Sequence, residues 1–176
     1  MTDPAAPHLL LRAATSPKHE EVDATFARYD FADRASYGSL LAAHARVLPP
    51  IERALADYPG LPAFPPRTPA LAGDLAALGR DMPEPGDVSR PASPAAAWGM
   101  LYVIEGSRLG GVFLARQVPE GMPKAYLSAG HARGGWRAML DALDEAAEGQ
   151  MWLDEAIAAA TATFDLYATA AVRPNE

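Results

Sequence analysis

The sequence predicts a single all-α domain, and three observations support that prediction. Apolar residues recur at intervals of three and four along most of the 176 residues, which is the period of helices packed on a core. No convincing alternation of apolar and polar residues predicts a strand. The proline-rich stretches 59–67 and 82–93 leave too little chain on either side for two cores. We therefore predict about six helices in one domain, a multi-helical fold over 1–176, with flexible tails at 1–7 and 172–176.

The first predicted helix contains Pro17, whose effect has two interpretations. Pro17 either opens the helix behind a cap at Ser16 or kinks a helix that begins near His8. Both alternatives keep His19 close to a helix N-terminus or a kink. The stripe on one face of this helix falls at offsets of three, seven and ten residues. It consists of His19, Val22, Phe26 and Tyr29.

Two further helices are predicted before residue 80. The second helix is expected to begin at a Ser36 cap and to be bent or broken by Pro49 and Pro50. The third is short and is predicted from Thr68 as cap and Pro69 in the first turn. The inward residues of the second helix are predicted to be Tyr37, Leu40, Leu41, His44, Leu48, Ile51, Leu55 and Tyr58, and those of the third Leu71, Leu75 and Leu78.

The fourth predicted helix, 94–118 behind a Ser93 cap, contains four glycines: Gly99, Gly106, Gly110 and Gly111. Each glycine inside a helix costs about 0.8–1 kcal/mol relative to alanine. Gly106 and Gly110 are four residues apart and share one face, which Gly111 widens. Such a bare strip indicates either a flat ligand lying against the main chain, or close packing of another helix or a kink. The spacing alone leaves these alternatives open.

The rest of the chain is predicted to hold a loop and two helices. The loop covers 119–130 and carries Tyr126, and the helices cover 133–148 and 151–171. The apolar faces of these helices are Trp136, Met139, Leu140 and Leu143 in the first, and Leu153, Ile157, Ala160, Phe164 and Tyr167 in the second.

Composition excludes several classes of function. Lys and Arg number 15 and Asp and Glu 22, a net charge of −7, which argues against binding to nucleic acid or to an anionic membrane surface. The absence of cysteine excludes disulfides, cysteine-ligated zinc, iron–sulfur clusters and a thiol nucleophile. The first residues lack the basic start and apolar run of a signal peptide, and no apolar stretch is long enough to span a membrane. We expect a cytoplasmic protein.

Among the four histidines, His19 is the candidate ligand. His8 and His131 are expected to be exposed, and His44 to be a core or partly exposed residue. Asp23 follows His19 by four residues, the spacing at which a carboxylate can fix the tautomer of a metal-bound imidazole. No second histidine or Glu-x-x-His pair accompanies it, which argues against a zinc hydrolase or a di-iron site. A single imidazole suits haem, because the porphyrin supplies four other bonds.

Two motifs together resemble the bacterial haem oxygenases. The segment LRAATSPKHEEVD, residues 11–23, resembles the proximal-ligand motif of that family, and LYVIEGSRLGG, residues 101–111, resembles its distal-helix glycine motif. The segment ATATFDLY, residues 160–167, is similar to the closing helix of the family, so the resemblance spans most of the chain. The form EGS-x-LGG is similar to the branch found beside bacterial phytochromes, which use the bilin product as chromophore.

The resemblance implies roles on both sides of a haem. His19 is implied as the proximal iron ligand and Asp23 as its partner. The distal helix is implied to be kinked and glycine-rich and to lie over the haem face with its bare backbone, and the residues that form it are Gly106, Ser107, Gly110 and Gly111. Ser107 stands where the animal members carry an aspartate that organises proton-delivering waters, so the details of proton delivery do not carry over. Glu105 is predicted to pair with Arg108 rather than to act in catalysis.

The haem propionates require cations at the mouth of the pocket. Arg12, seven residues before His19, lies near the same face of a continuous helix and resembles a basic position of the family motif. The family also places basic residues and often a tyrosine later in the chain, for which the candidates are Arg133, Arg137 and Tyr126. The alternative for each arginine is a solvated surface charge.

The activity implied is oxidative opening of haem to biliverdin, CO and ferrous iron, with O2 and an external reductant. The chain has neither a cysteine cluster nor a nucleotide-binding glycine loop, so the electrons are expected from a ferredoxin or a flavoprotein reductase. A bacteriophytochrome is a candidate acceptor for the bilin. Two alternatives remain, a haem-binding or haem-transfer protein without turnover and a helical interaction protein. The ring carbon attacked, the donor and the oligomeric state are left open.

Overall fold

The computed structural model describes residues 5–172, which form seven helices and no strand. Residues 1–4 and 173–176, which make up most of the two predicted tails, lie outside the described residues, whereas Pro7 and Val172 are helical. The helices are α1 Pro7–Phe26, α2 Arg34–Ala56, α3 Thr68–Ala77, α4 Pro94–Ala115, α5 Ala125–Ser128, α6 Gly135–Ala146 and α7 Gln150–Val172.

Prolines occur in the first turn of helices and also inside α1 and α2, and the prolines inside these two helices do not end them. Pro7 lies in the first turn of α1, and the helix continues through Pro17, so the interpretation in which this helix begins near His8 is confirmed. Helix α2 likewise continues through Pro49 and Pro50 to its end at Ala56. The predicted break at these prolines is therefore wrong, because tertiary packing of the buried second half of α2 outweighs the hydrogen bonds that proline removes.

Side-chain caps set the starts of α2 and α4. Asp33, rather than the predicted Ser36, caps α2, and its carboxylate accepts a 2.7 Å hydrogen bond from the backbone N–H of Ser36. Ser93 caps α4 as predicted and accepts a 3.2 Å bond from the N–H of Ala96. Pro94 follows Ser93 at the first helical position, where proline has no hydrogen bond to lose.

Helix α7 packs against α4, α1 and α2. The approach of α4 is closest at Gly99, where a Cβ atom would lie 2.2 Å from the carbonyl oxygen of Ala156. Only glycine permits this crossing, because the backbone of α7 occupies the place of a side chain. The fully buried core side chains include Leu11, Leu40, Leu41, Leu48, Ile51, Leu71, Leu75, Leu101 and Ile104.

The predicted loop 119–130 contains a one-turn helix, α5, held by a buried carboxylate of α3. Asp74 is 4% exposed and accepts hydrogen bonds from the backbone N–H groups of Ala125, at 3.1 Å, and Tyr126, at 2.8 Å. A carboxylate at the N-terminus satisfies donors that no helical carbonyl reaches. Asp74 thereby fixes Tyr126, which points into the interior and is 1% exposed.

Candidate functional site

A cavity of about 580 Å³ lies between α1 and α4, with further walls from α5, α6 and α7. Its volume falls in the range of small-molecule and cofactor sites, roughly 300–1,000 Å³. Its lining is largely apolar and includes Val22, Phe26, Val103, Leu109, Leu114, Leu127, Leu140 and Phe164. A hydrophobic slot with a few polar groups is the arrangement expected for a large, mostly apolar ligand.

His19 lines this cavity from α1 together with Asp23. The Nδ1 atom of His19 lies 3.3 Å from Oδ2 of Asp23, and the ring packs edge-on against Phe164 at 5.7 Å between centroids. The side chain of His19 is 59% exposed. With Nδ1 turned toward a carboxylate, Nε2 is the nitrogen available for a ligand in the cavity.

Gly106 and Gly110 of α4 line the same cavity as His19. A Cβ atom at Gly110 would have nothing within 4 Å, and one at Gly106 would meet only the indole of Trp136, at 3.4 Å. At Gly111 a Cβ atom would lie 3.0 Å from the carbonyl oxygen of Leu127, although Gly111 also lines the cavity. Gly111 therefore packs against α5, whereas Gly106 and Gly110 leave the backbone open to the cavity.

Arg67, which the sequence analysis placed at the end of a proline-rich loop, is buried behind Ser107. Its Nη2 atom donates to the carbonyl oxygen of Ile104 at 2.6 Å and to the hydroxyl of Ser107 at 2.8 Å. The hydroxyl of Ser107 in turn donates to Ile104 at 2.7 Å. The guanidinium also lies over the ring of Tyr126, 5.2 Å from its centroid. Arg67 is 3% exposed and lines the cavity, so it places a fixed positive charge at the wall that α4 forms, called the distal wall below.

Glu52 positions the backbone of that arginine. Its carboxylate accepts hydrogen bonds from the backbone N–H of Arg67 at 2.7 Å and from the N–H and hydroxyl of Thr68, at 3.1 and 2.6 Å. These donors form the first turn of α3, so Glu52 caps that helix from α2. Thr68 is therefore the first residue of α3 rather than its predicted cap.

The inner wall of the cavity carries His44 and two buried tyrosines. Nδ1 of His44 lies 2.7 Å from the hydroxyl of Tyr126, and its ring is 5.2 Å from that of Tyr167. Burial, followed by the positive charge of Arg67, lowers the pKa of His44 to about 3. Burial raises the pKa of both tyrosine hydroxyls, so all three rings are neutral at ordinary pH. The prediction that His44 is a core or partly exposed residue agrees with this position.

Comparison with known proteins gives the family. The chain is 35% identical over 144 residues to a haem oxygenase of Xanthomonas campestris pv. campestris, a match that covers 75% of this chain and 86% of that protein. The chain belongs to the haem oxygenase family. Membership makes it an oxidoreductase, and the predicted family and enzyme class are confirmed. No family model matches the sequence.

Two solved haem oxygenases share its fold. A structure of the Neisseria meningitidis enzyme with bound NO and CO superposes with a TM-score of 0.81 at 24% identity, covering 94% of this chain and 90% of that one. The Leptospira interrogans haem oxygenase superposes with a TM-score of 0.74 at 19% identity, covering 95% and 98% of the two chains. The predicted all-α haem oxygenase-like fold is thereby confirmed.

At the cavity mouth of this haem oxygenase, α1 and α4 contribute polar side chains. Arg12 lines the cavity one turn beyond His8, and Tyr102 lines it from α4. Burial raises the pKa of the Tyr102 hydroxyl, an effect opposed by the positive charge of Arg12 and by a hydrogen bond with Thr15. Arg12 and Tyr102 are thus close enough to interact at the mouth.

The other predicted mouth residues of the haem oxygenase lie elsewhere. Arg133 and Arg137 are exposed and do not line the cavity, and Nε of Arg137 is 2.9 Å from the carboxylate of its helical neighbour Asp141. Tyr126, which is predicted to bind the cofactor, lines the inner wall of the cavity. The alternative of a solvated surface charge describes both arginines.

Two histidines expected at the surface lie against carboxylates. His131 Nε2 lies 3.0 Å from Glu105, and its side chain is 11% exposed. Glu105 also accepts a 2.8 Å bond from Arg108, the predicted pair, and both residues are buried. His8 lies 2.6 Å from Asp144 with 12% of its side chain exposed. The predicted exposure of His8 and His131 is wrong because each has a carboxylate partner from a distant helix.

None of the helices in the part of the chain that the structure describes is long and apolar enough to cross a bilayer.

Proposed function

We propose that this haem oxygenase opens haem to biliverdin, CO and ferrous iron, using O2 and electrons from an external donor. One observation carries the proposal: His19 of α1 and Gly110 of α4 line one cavity, and a Cβ atom at Gly110 would have nothing within 4 Å. Haem, when bound, supplies the iron that activates O2 and the ring carbon that is oxidised. It is both cofactor and substrate.

The donor set fits a porphyrin better than a bare metal ion. Among residues 5–172 no three histidine, aspartate or glutamate side chains come together as a metal site. A single imidazole suffices for iron in a porphyrin, and His19 offers one, with Asp23 beside its second nitrogen. We assign His19 as the iron ligand and Asp23 as the group that orients its ring and increases its basicity.

On the distal side, which α4 forms, the residues position the substrate and do not bind its iron. Gly106 and Gly110 let the α4 backbone approach the face of the ligand, and Gly111 keeps α4 close to α5. The single O–H of Ser107 already donates to Ile104, so this hydroxyl is held in place and is not a free proton donor. Its role is then to fix the wall and, through its remaining lone pair, to accept a bond from water.

Proton delivery is assigned to the polar groups behind that wall. Among the described residues, Nε of Arg67 and the hydroxyl of Tyr167 are buried polar atoms with no protein partner, and both residues line the cavity. Buried donors of this kind bond ordered water. We propose that they hold the waters that would supply protons to the reaction, with Tyr126 completing the inner wall.

At the mouth we assign Arg12 and Tyr102 to the haem propionates. Arg12 supplies a positive charge about 10 Å along α1 from His19, given a rise of 1.5 Å per residue over seven residues. The analogous role proposed for Arg133 and Arg137 draws no support from the cavity, since neither lines it.

The partners are proposed from the family and from the motif. The chain has no cysteine for an iron–sulfur centre, so we propose that a ferredoxin or flavoprotein reductase supplies the electrons. The form EGS-x-LGG favours the phytochrome-associated branch, with a bacteriophytochrome as bilin acceptor. We propose a cytoplasmic location.

Titration of hemin into wild type and His19→Ala, followed by addition of ascorbate or reduced ferredoxin, tests the assignment. Wild type should develop a Soret band at one equivalent and lose it on reduction in air, while biliverdin absorption grows. His19→Ala should lose the histidine-ligated spectrum and regain it with added imidazole, whereas Glu20→Ala, an exposed neighbour on α1, should behave as wild type. An unchanged Soret band on reduction of the wild-type complex would favour a haem carrier. No hemin binding would favour the helical interaction protein.

A further inference from the structure

The pair formed by His8 and Asp144 is not used by the function proposed above. We propose that His8, held by Asp144, is a second anchor for a haem propionate beside Arg12. The inference rests on the proposed function, because it assigns a substrate contact within the same cavity. His8 lines that cavity, and Asp144 of α6 bonds both its backbone and its ring.

The position of His8 suits the edge of a haem and excludes iron ligation. His8 precedes Arg12 by four residues, so the two side chains share a face of α1. Along the helix axis His8 lies about 16 Å from His19 and about 6 Å beyond Arg12. A ring at that distance cannot bind an iron held by His19. It lies one turn from Arg12, the side chain that we assign to the propionate carboxylates.

The ring of His8 is fixed before any ligand arrives. Oδ1 of Asp144 accepts a 2.8 Å hydrogen bond from the backbone N–H of His8, and Oδ2 lies 2.6 Å from Nδ1 of the ring. The side chains of His8 and Asp144 are 12% and 24% exposed, so the pair is largely shielded from water. Among residues 5–172, Asp144 is the ring's only polar partner, which leaves Nε2 for a ligand.

The chemistry of the imidazolium makes this arrangement a carboxylate receptor. Both ring nitrogens of a protonated histidine are donors, so Nδ1–H can bond Asp144 while Nε2–H bonds a propionate oxygen. A charge-assisted bond of this kind is directional, and its donor is already oriented. With Arg12 one turn away, the two propionates of haem would each have a cationic partner from α1.

A structural alternative is that the pair only joins α1 to α6, because both bonds of Asp144 cross between these helices. The two roles differ in what they predict for a substrate without propionate charges. If the pair is only a clasp, meaning a contact that joins α1 to α6, its loss should change the affinity for every haem equally. If His8 anchors a propionate, its loss should weaken binding only of a haem that carries free carboxylates.

The experiment is an equilibrium titration with hemin and with hemin dimethyl ester. The variants are His8→Ala and Asp144→Asn. Asp144→Asn keeps an oxygen that can accept from the backbone N–H of His8 but places an amide NH2 group beside Nδ1 of the His8 ring. Glu145→Gln is the matched control, since Glu145 is the exposed neighbour of Asp144 and loses the same charge. Loss of one charge-assisted bond should weaken hemin binding about three- to tenfold in both test variants. Their affinity for the dimethyl ester should equal that of wild type, and Glu145→Gln should bind both haems normally.

Several outcomes would overturn the inference. Equal losses for hemin and its ester would show a clasp, and misfolding of a variant would give the same equal loss. Unchanged hemin affinity in His8→Ala would remove the contact altogether. A wild-type protein that binds neither haem would refute the proposed function instead, so the two failures are distinguishable. A change in the ratio of biliverdin isomers from His8→Ala would support the anchor, because the propionates fix the rotation of the ring in its pocket.

Discussion

The same glycine-to-alanine change should have opposite effects on stability at two positions of α4. At Gly110 the new Cβ enters open space, so the variant gains the helix propensity of alanine, about 0.8–1 kcal/mol. For a chain of this length that gain corresponds to a Tm rise of about 2–4 °C. At Gly99 the new Cβ would lie 2.2 Å from the carbonyl oxygen of Ala156. Forcing α4 and α7 apart costs about 1–3 kcal/mol, so the Tm of Gly99→Ala should fall.

Gly110→Leu then separates stability from function. Leucine has nearly the helix propensity of alanine, so the ligand-free variant should melt at or above the wild-type temperature. Its side chain nevertheless projects into the cavity at the place assigned to the haem face. We expect hemin affinity and turnover to be abolished in a protein that is fully folded.

Melting curves followed by circular dichroism at 222 nm without haem, together with Soret titrations, check both parts. Gly110→Ala and Gly99→Ala are compared in one series, because they are the same substitution in the same helix. A Gly110→Leu variant that degraded haem at the wild-type rate would refute the bare-backbone argument. A drop in the Tm of Gly110→Ala would refute the claim that its Cβ position is open.

Three further predictions concern side chains that line the cavity. Asp23→Ala should retain haem but bind it more weakly and shift the iron–His19 stretching band in resonance Raman spectra; an identical band would remove Asp23 from its role. Arg67→Met should lower the urea-measured free energy of unfolding by about 1–3 kcal/mol, since it removes the charged donor that bonds Ile104 and Ser107; a loss below about 0.5 kcal/mol would contradict the burial argument. Burial and the Arg67 charge lower the pKa of His44 from 6.5 to about 3, so in this window the unfolded chain binds a proton that the native chain does not. Stability should therefore fall as pH falls from about 6.5, by up to about 1.4 kcal/mol per pH unit, and His44→Gln should flatten that slope in urea melts at pH 7 and 4.5.

The features that the sequence predicted correctly depend on groups close together in the chain. Ser93 and Pro94 start α4 through contacts within one turn, and Glu105 pairs with Arg108 three residues on. His19 and Asp23 likewise belong to one helix. Short-range geometry of this kind follows from the helical period, so a sequence reveals it as soon as the helix is recognised.

The features that were missed depend on partners that the chain brings together from far away. Arg67 bonds Ser107, which is 40 residues distant, and His8 bonds Asp144, which is 136 residues distant. A cation in a proline-rich loop and a histidine near the N-terminus both carry the local signal of an exposed residue. Burial of a charge is decided by whether a partner is supplied, and the helical pattern says nothing of that partner.

The glycines of α4 show the limit of periodicity most directly. Gly99 and Gly106 are seven residues apart and therefore share a face of the helix, yet Gly99 meets the α7 backbone and Gly106 lines the cavity. Over that interval of about 10 Å, the same face of α4 first meets helix α7 and then lines the cavity. The tight crossing at Gly99 fixes where α4 and α7 meet, and the cavity lies two turns farther along. One row of glycines thus packs against a helix at one end and lines the cavity at the other, so a substitution at Gly99 should alter the cavity through the position of α4.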